Sequence, residues 1–166
     1  MGNSRPASGA EHHLSHFWEL NIVNGHHNGL HGEMVGVGLA CITKVYKDFM
    51  AKVTDPSALI HPYHGMPHEQ LKEILGFMYE DAIKESTPDD MLQVTPEKVI
   101  AAWPKIQQIV AAMPSHAEVL DMLHRAGAPS TMEEIGVDSV YLEKCLKFSP
   151  FIRGRITLMR LIDLMF

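Results

Sequence analysis

Apolar residues recur along most of the chain at three- and four-residue intervals, the stripe that one face of an α-helix presents. Leu71, Ile74, Leu75 and Met78 keep this spacing and predict a helix over 68–84. Thr95-Pro96-Glu97 is a start signal with proline at the first helical position, and it launches a helix through Val99, Trp103, Ile106 and Val110. Ser115 caps the next helix, which carries Val119, Leu120 and Leu123 up to Gly127. Ser130 to Glu134 has the spacing of another capping box, and a last helix is expected from about Pro150 to the end. At the other end, a first helix is expected over about 10–22, with Ser8 as N-cap, Glu11 three residues on and Gly25 as the stop. A second should start at His31-Gly32-Glu33 and run past Tyr46 to Met50, its Gly36, Gly38 and Ala40 allowing a close neighbour. Period-two runs of β-branched residues are missing. Asn24-Gly25 and Asn28-Gly29 sit in a polar loop, and 61–67 is a Pro-rich one. The sum is an all-α domain of six to eight helices.

Composition adds exclusions. A length of 166 residues suits one domain with a real core, and 46% hydrophobic with 20% charged residues is ordinary for a globular chain. The net charge of -6 gives no electrostatic reason to expect nucleic acid. No apolar run reaches the roughly 18–20 residues needed to span a bilayer. The first residues lack the apolar stretch of a signal peptide, and Pro6 occupies the position where a myristoylation motif wants Ser or Thr. Cys41 and Cys145, in apolar helical contexts, are expected to be reduced core thiols of a cytoplasmic protein. The methionines fall mostly on apolar faces, as core filler does.

Candidate chemistry lies in the histidines. There are eleven, six of them between positions 12 and 31. Imidazole is the commonest metal ligand and the side chain that titrates near neutrality. His12 and His16, four apart, share one helix face, and His31 opens the next helix across a short loop. Imidazoles from two helices supply half of a tetrahedral site. A third ligand, a carboxylate, is then wanted, yet Glu11 and Glu33 adjoin histidines and, as immediate neighbours, should point elsewhere. The zincin pattern HExxH is missing. His13, His26 and His27 are expected to face solvent, and His61, His64 and His68 to be loop surface, since no acidic residue is interleaved among them. Arg5, ahead of a small-residue turn that feeds a helix N-terminus, suits an oxyanion such as phosphate.

The stretch SRPASGAEHHLSHFWE, followed by LHGEMVGVG, resembles the metal-site region of bacterial sn-glycerol-1-phosphate dehydrogenases. More distantly it is similar to glycerol dehydrogenases, iron-dependent alcohol dehydrogenases and dehydroquinate synthases. The segment 152–161 is similar to the family's closing helix, with Gly154 and Ile156 in place of its usual Asp and aromatic residue. The resemblance implies that 1–166 is the C-terminal all-α metal- and substrate-binding domain of a two-domain enzyme. The α/β nucleotide domain, with its Gly-rich loop and a metal-binding aspartate, would precede Met1. It implies His12 and His31 as metal ligands, His16 as a substrate-contacting catalytic histidine and Arg5 as an oxyanion contact. The implied metal is zinc or nickel, the cofactor NAD(H) or NADP(H), and the substrate dihydroxyacetone phosphate or glycerol 1-phosphate. Cofactor-binding residues are not identified in this chain, and a homodimer is compatible with it. Two other readings stay open: a noncatalytic helical metal-binding or interaction module, and a related polyol dehydrogenase or dehydroquinate-synthase-like enzyme.

Overall fold

The computed structural model describes residues 9–20 and 27–165. Among these there are eight α-helices and no strand: α1 (Ala10–Glu19), α2 (His31–Lys52), α3 (His68–Leu75), α4 (Tyr79–Glu85), α5 (Pro96–Ala112), α6 (His116–Arg125), α7 (Leu142–Phe148) and α8 (Leu158–Ile162). The chain is all-α, as the periodicity predicts. The expected Ser8 cap and Gly25 stop lie outside the described residues. Within them α1 is capped by Gly9, whose N–H donates to Glu11 Oε1 at 2.8 Å.

Helix α2 is the central rod. α1 packs chiefly along it, and α5 and α6 lean on its other sides. Leu14, Phe17 and Trp18 recur at three- and four-residue spacing on α1 and are fully buried. They meet Met34 and Val37 of α2 in a core that extends to Leu71, Ile135, Cys145 and Phe151. Each such side chain contributes roughly 1.5–3 kcal/mol by leaving water. A second apolar cluster joins Phe49 and Val53 at the far end of α2 to Trp103 and Leu164.

The close approach expected of the small residues is real at Gly38. A Cβ there would lie 2.8 Å from the Glu11 carbonyl oxygen, so only glycine lets α1 sit this near α2. Glu11 opposite Gly38 and Glu19 opposite His31 make the pair antiparallel.

Three expectations need correction. The helix predicted over 68–84 breaks at Gly76, whose φ of 53° is a conformation other residues resist, and a 3-10 turn separates α3 from α4. The Thr131–Glu134 capping box forms, with reciprocal bonds between the two residues, but opens only a 3-10 turn at Glu133–Ile135. The last helix starts at Leu158, not near Pro150. Residues 152–157 are held off the helical path because Gly154 docks on the end of α4, where a Cβ would come within 2.6 Å of the Glu85 carbonyl oxygen. Cys41 and Cys145 are free thiols, and burial pushes both up to about 11, which leaves them unreactive. Among the described residues no helix is long and apolar enough to cross a membrane.

Candidate metal centre

On α1 the core residues occupy one side, and His12, His16 and Glu19, at i, i+4 and i+7, fall within one narrow stripe on the other. The antiparallel crossing lays the first residue of α2, His31, against that stripe. The three imidazoles converge: ring centroids lie 5.6 Å apart for His12 and His31, 5.2 Å for His16 and His31, and 6.4 Å for His12 and His16. Their side chains keep 24%, 31% and 50% of their exposure for His12, His16 and His31, so a ligand can reach them from solvent.

Each ring meets a carboxylate through Nδ1. His12 Nδ1 is 2.9 Å from Glu11 Oε1, His16 Nδ1 is 2.8 Å from Glu19 Oε2, and His31 Nδ1 is 2.6 Å from Glu19 Oε1. Burial pushes the Glu19 carboxyl up, but the bonds from His31 and His16 outweigh it and hold the group below the usual carboxylate range. Glu11 is also held low: burial opposes ionisation, and the bonds from His12 and the Gly9 N–H overcome it. Both acids are therefore anionic and act as acceptors at neutral pH.

His16, Glu19 and His31 can each offer a ligand atom within 4.8 Å of the other two, a two-histidine, one-carboxylate donor set. As placed, both Glu19 oxygens are taken up by the Nδ1 atoms of His16 and His31, so the groups left for a borderline divalent ion such as zinc or nickel are the imidazoles, His12 among them. Glu19 is the acidic residue that the sequence reading missed. Its spacing, seven residues after His12 and three after His16, is the signal that places it on their stripe. Glu33 does turn away, its carboxylate accepting the Leu30 N–H at 2.7 Å. Glu11 does not, and bonds its own neighbour His12.

Other candidates fall elsewhere. Arg5 and His26 lie outside the described residues. His13, expected to face solvent, is 1% exposed. Neither of its ring nitrogens has a hydrogen-bond partner among the described residues. Burial, helped by the nearby positive charges of Arg155 and Arg153, lowers its pKa to about 4. His27 is half-buried rather than solvent-facing. His61 and His64 are exposed as expected, and His68 opens α3 with its Nδ1 3.0 Å from the Tyr79 hydroxyl.

Beside the cluster, His16 and Glu19 form one wall of a cavity of about 220 Å³, completed by Leu75, Met78, Asp81 and Arg153 among others. Arg153 is partly engaged by Glu85 at 3.4 Å.

A glycerol-1-phosphate dehydrogenase [NAD(P)+] of Geobacillus stearothermophilus is 29% identical over 161 residues, which is 96% of this chain and 33% of that protein. The chain is similar to the glycerol-1-phosphate dehydrogenases. The protein of that name from Bacillus subtilis (strain 168) is 24% identical over 98% of the chain and 32% of its own length. The one from Halalkalibacterium halodurans is 50% identical over 49 residues, or 29% of the chain and 12% of that dehydrogenase. The chain thus spans about a third of the length of the glycerol-1-phosphate dehydrogenases it matches. No family model and no solved structure matches it.

Proposed function

We propose that residues 1–166 act as the C-terminal metal- and substrate-binding domain of an NAD(P)-dependent glycerol-1-phosphate dehydrogenase that reduces dihydroxyacetone phosphate. The observation that supports this reading most is the convergence of His12, His16 and His31 from two helices, each ring backed by a carboxylate. The similarity to glycerol-1-phosphate dehydrogenases supports the reaction class.

In this reading His12 and His31 hold a zinc or nickel ion. When bound, that ion supplies Lewis-acid polarisation of a ketone oxygen, and the nicotinamide of NADH or NADPH supplies the hydride. This chain's residues do the rest. His16, held by Glu19 through Nδ1, presents Nε2 to a substrate oxygen; as the imidazolium it gives that oxygen the Nε2 proton in the reducing direction, and the neutral ring takes it back in the oxidising one. Leu75 and Met78 give the adjoining cavity an apolar wall that excludes water from the reacting end. The cavity suits a ligand smaller than a drug-sized molecule. Asp81, Glu85 and Arg153 also line it, and Arg5, the oxyanion contact that the resemblance implies, is the residue proposed for the substrate phosphate.

The test is calorimetric and kinetic. Zinc or nickel titrated into the chain should bind at one site, and His12→Ala or His31→Ala should abolish it. Oxidation of NADH or NADPH that depends on dihydroxyacetone phosphate should follow metal loading in the complete gene product and be lost in His16→Ala. Stoichiometric metal in His31→Ala would overturn the ligand assignment. Metal binding with no turnover in the complete gene product would favour the noncatalytic module.

A further inference from the structure

We propose that Glu19 is a positioning residue that sets the proton on Nδ1 of both His31 and His16, so that one carboxylate readies a ring on each of two helices to work through Nε2.

The argument rests on geometry. A neutral imidazole carries one proton, on Nδ1 or on Nε2. An ionised carboxylate can only accept. Glu19 Oε1 lies 2.6 Å from His31 Nδ1 and Glu19 Oε2 lies 2.8 Å from His16 Nδ1, so each Nδ1 must bear a hydrogen and donate it. The lone pair of each ring is thereby left on Nε2. Among the described residues no partner meets Nε2 of either ring. Carboxylate-backed imidazole is the arrangement that orients metal-bound histidines generally. Two features here go further. Both oxygens of one side chain are used, each by a different histidine. The carboxylate also reaches from α1 to the first residue of α2, so it fixes a ring on a second helix. His12 is served separately, by Glu11.

The use to which the two Nε2 atoms are put rests on the metal reading given above, but the tautomers do not depend on it. The experiment is therefore nitrogen NMR of the imidazoles in the full 166-residue chain, without metal and well above the pH at which histidine charges. His31 and His16 should both carry the proton on Nδ1. In Glu19→Ala both should shift toward the Nε2–H form, while His12 keeps its Nδ1 proton and shows that the fold is intact. Glu19→Gln is the sharper variant. Its amide offers one acceptor oxygen and an NH2 that cannot accept, so one of the two rings should switch and the other stay. Nickel titrated into the same variants should bind about 10- to 100-fold more weakly than to the wild type. Nε2–H tautomers in the wild type, or tautomers unmoved by Glu19→Ala, would overturn the proposal whatever the metal does. Expected tautomers in a wild-type chain that takes up no nickel would sink the metal reading and leave the role of Glu19 standing.

Discussion

Two groups of three histidines occupy this molecule, and only one is organised. His12, His16 and His31 are mounted on rigid helices, brought within 5.2–6.4 Å of one another, and backed by Glu11 and Glu19. His61, His64 and His68 are closer together in sequence. They lie along an exposed loop and at the start of α3, where His68 meets a tyrosine hydroxyl, and among the described residues no carboxylate meets any of the three. Helical register and interleaved acids make the difference. An i, i+4, i+7 stripe collects side chains on one line, and a loop with two prolines and a glycine scatters them. A local surplus of ligand-type residues is therefore a weaker sign of a metal site than their phase on a helix.

The strongest way to break the comparison is to exchange substitutions between the groups. His12→Ala or His31→Ala should weaken zinc or nickel binding by more than the roughly 100-fold that a supporting residue costs. His61→Ala and His64→Ala should leave it within about twofold, as the solvated loop implies. Equal losses from both groups, measured by calorimetry, would erase the distinction.

The next effect concerns His13, which belongs to neither group. Unfolded, it binds a proton near 6.5, but folded only near 4. Between those values the unfolded chain holds the extra proton, so stability falls as pH drops through this window and is complete above it. The span corresponds to about 3 kcal/mol. Urea unfolding without added metal should show that loss, and His13→Leu should flatten it. A wild-type chain as stable at about pH 4.5 as at about pH 7.5 would contradict the burial of this ring.

A smaller effect tests the mounting of the organised group. Gly38→Ala would drive a methyl against the Glu11 carbonyl oxygen. The expected cost is about 1–3 kcal/mol of overpacking, read as a lower Tm together with weaker metal binding, because α1 carries His12. Gly32→Ala, one residue from His31, meets no atom within 4 Å. It should leave binding unchanged and raise stability by at most about 1 kcal/mol.

Much of the organised group was legible beforehand. The spacing of His12 and His16 and the position of His31 at a helix start pointed to convergence, and the structure brings the rings together. Glu19 was equally available from its phase, seven residues after His12. His13 was not. Its burial depends on what covers that side of α1, and the nearby Arg153 and Arg155 lie in a segment that periodicity assigns to a helix and that Gly154 instead docks against the end of α4. The break at Gly76 was hidden in the same way, since the apolar stripe of α3 runs on through Met78 without a gap in phase.

By itself the sequence determined the helical class, the helix starts at Thr95 and Ser115, and the face of α1 that would bear ligand groups, because each follows from local hydrogen bonding and a fixed 3.6-residue turn. Tertiary structure alone decided that Glu19 also serves His31, which histidine loses its water, and where the last helix begins. Those outcomes depend on contacts between segments far apart in the chain, such as Gly38 against Glu11 and Gly154 against Glu85, where the missing Cβ sets the distance.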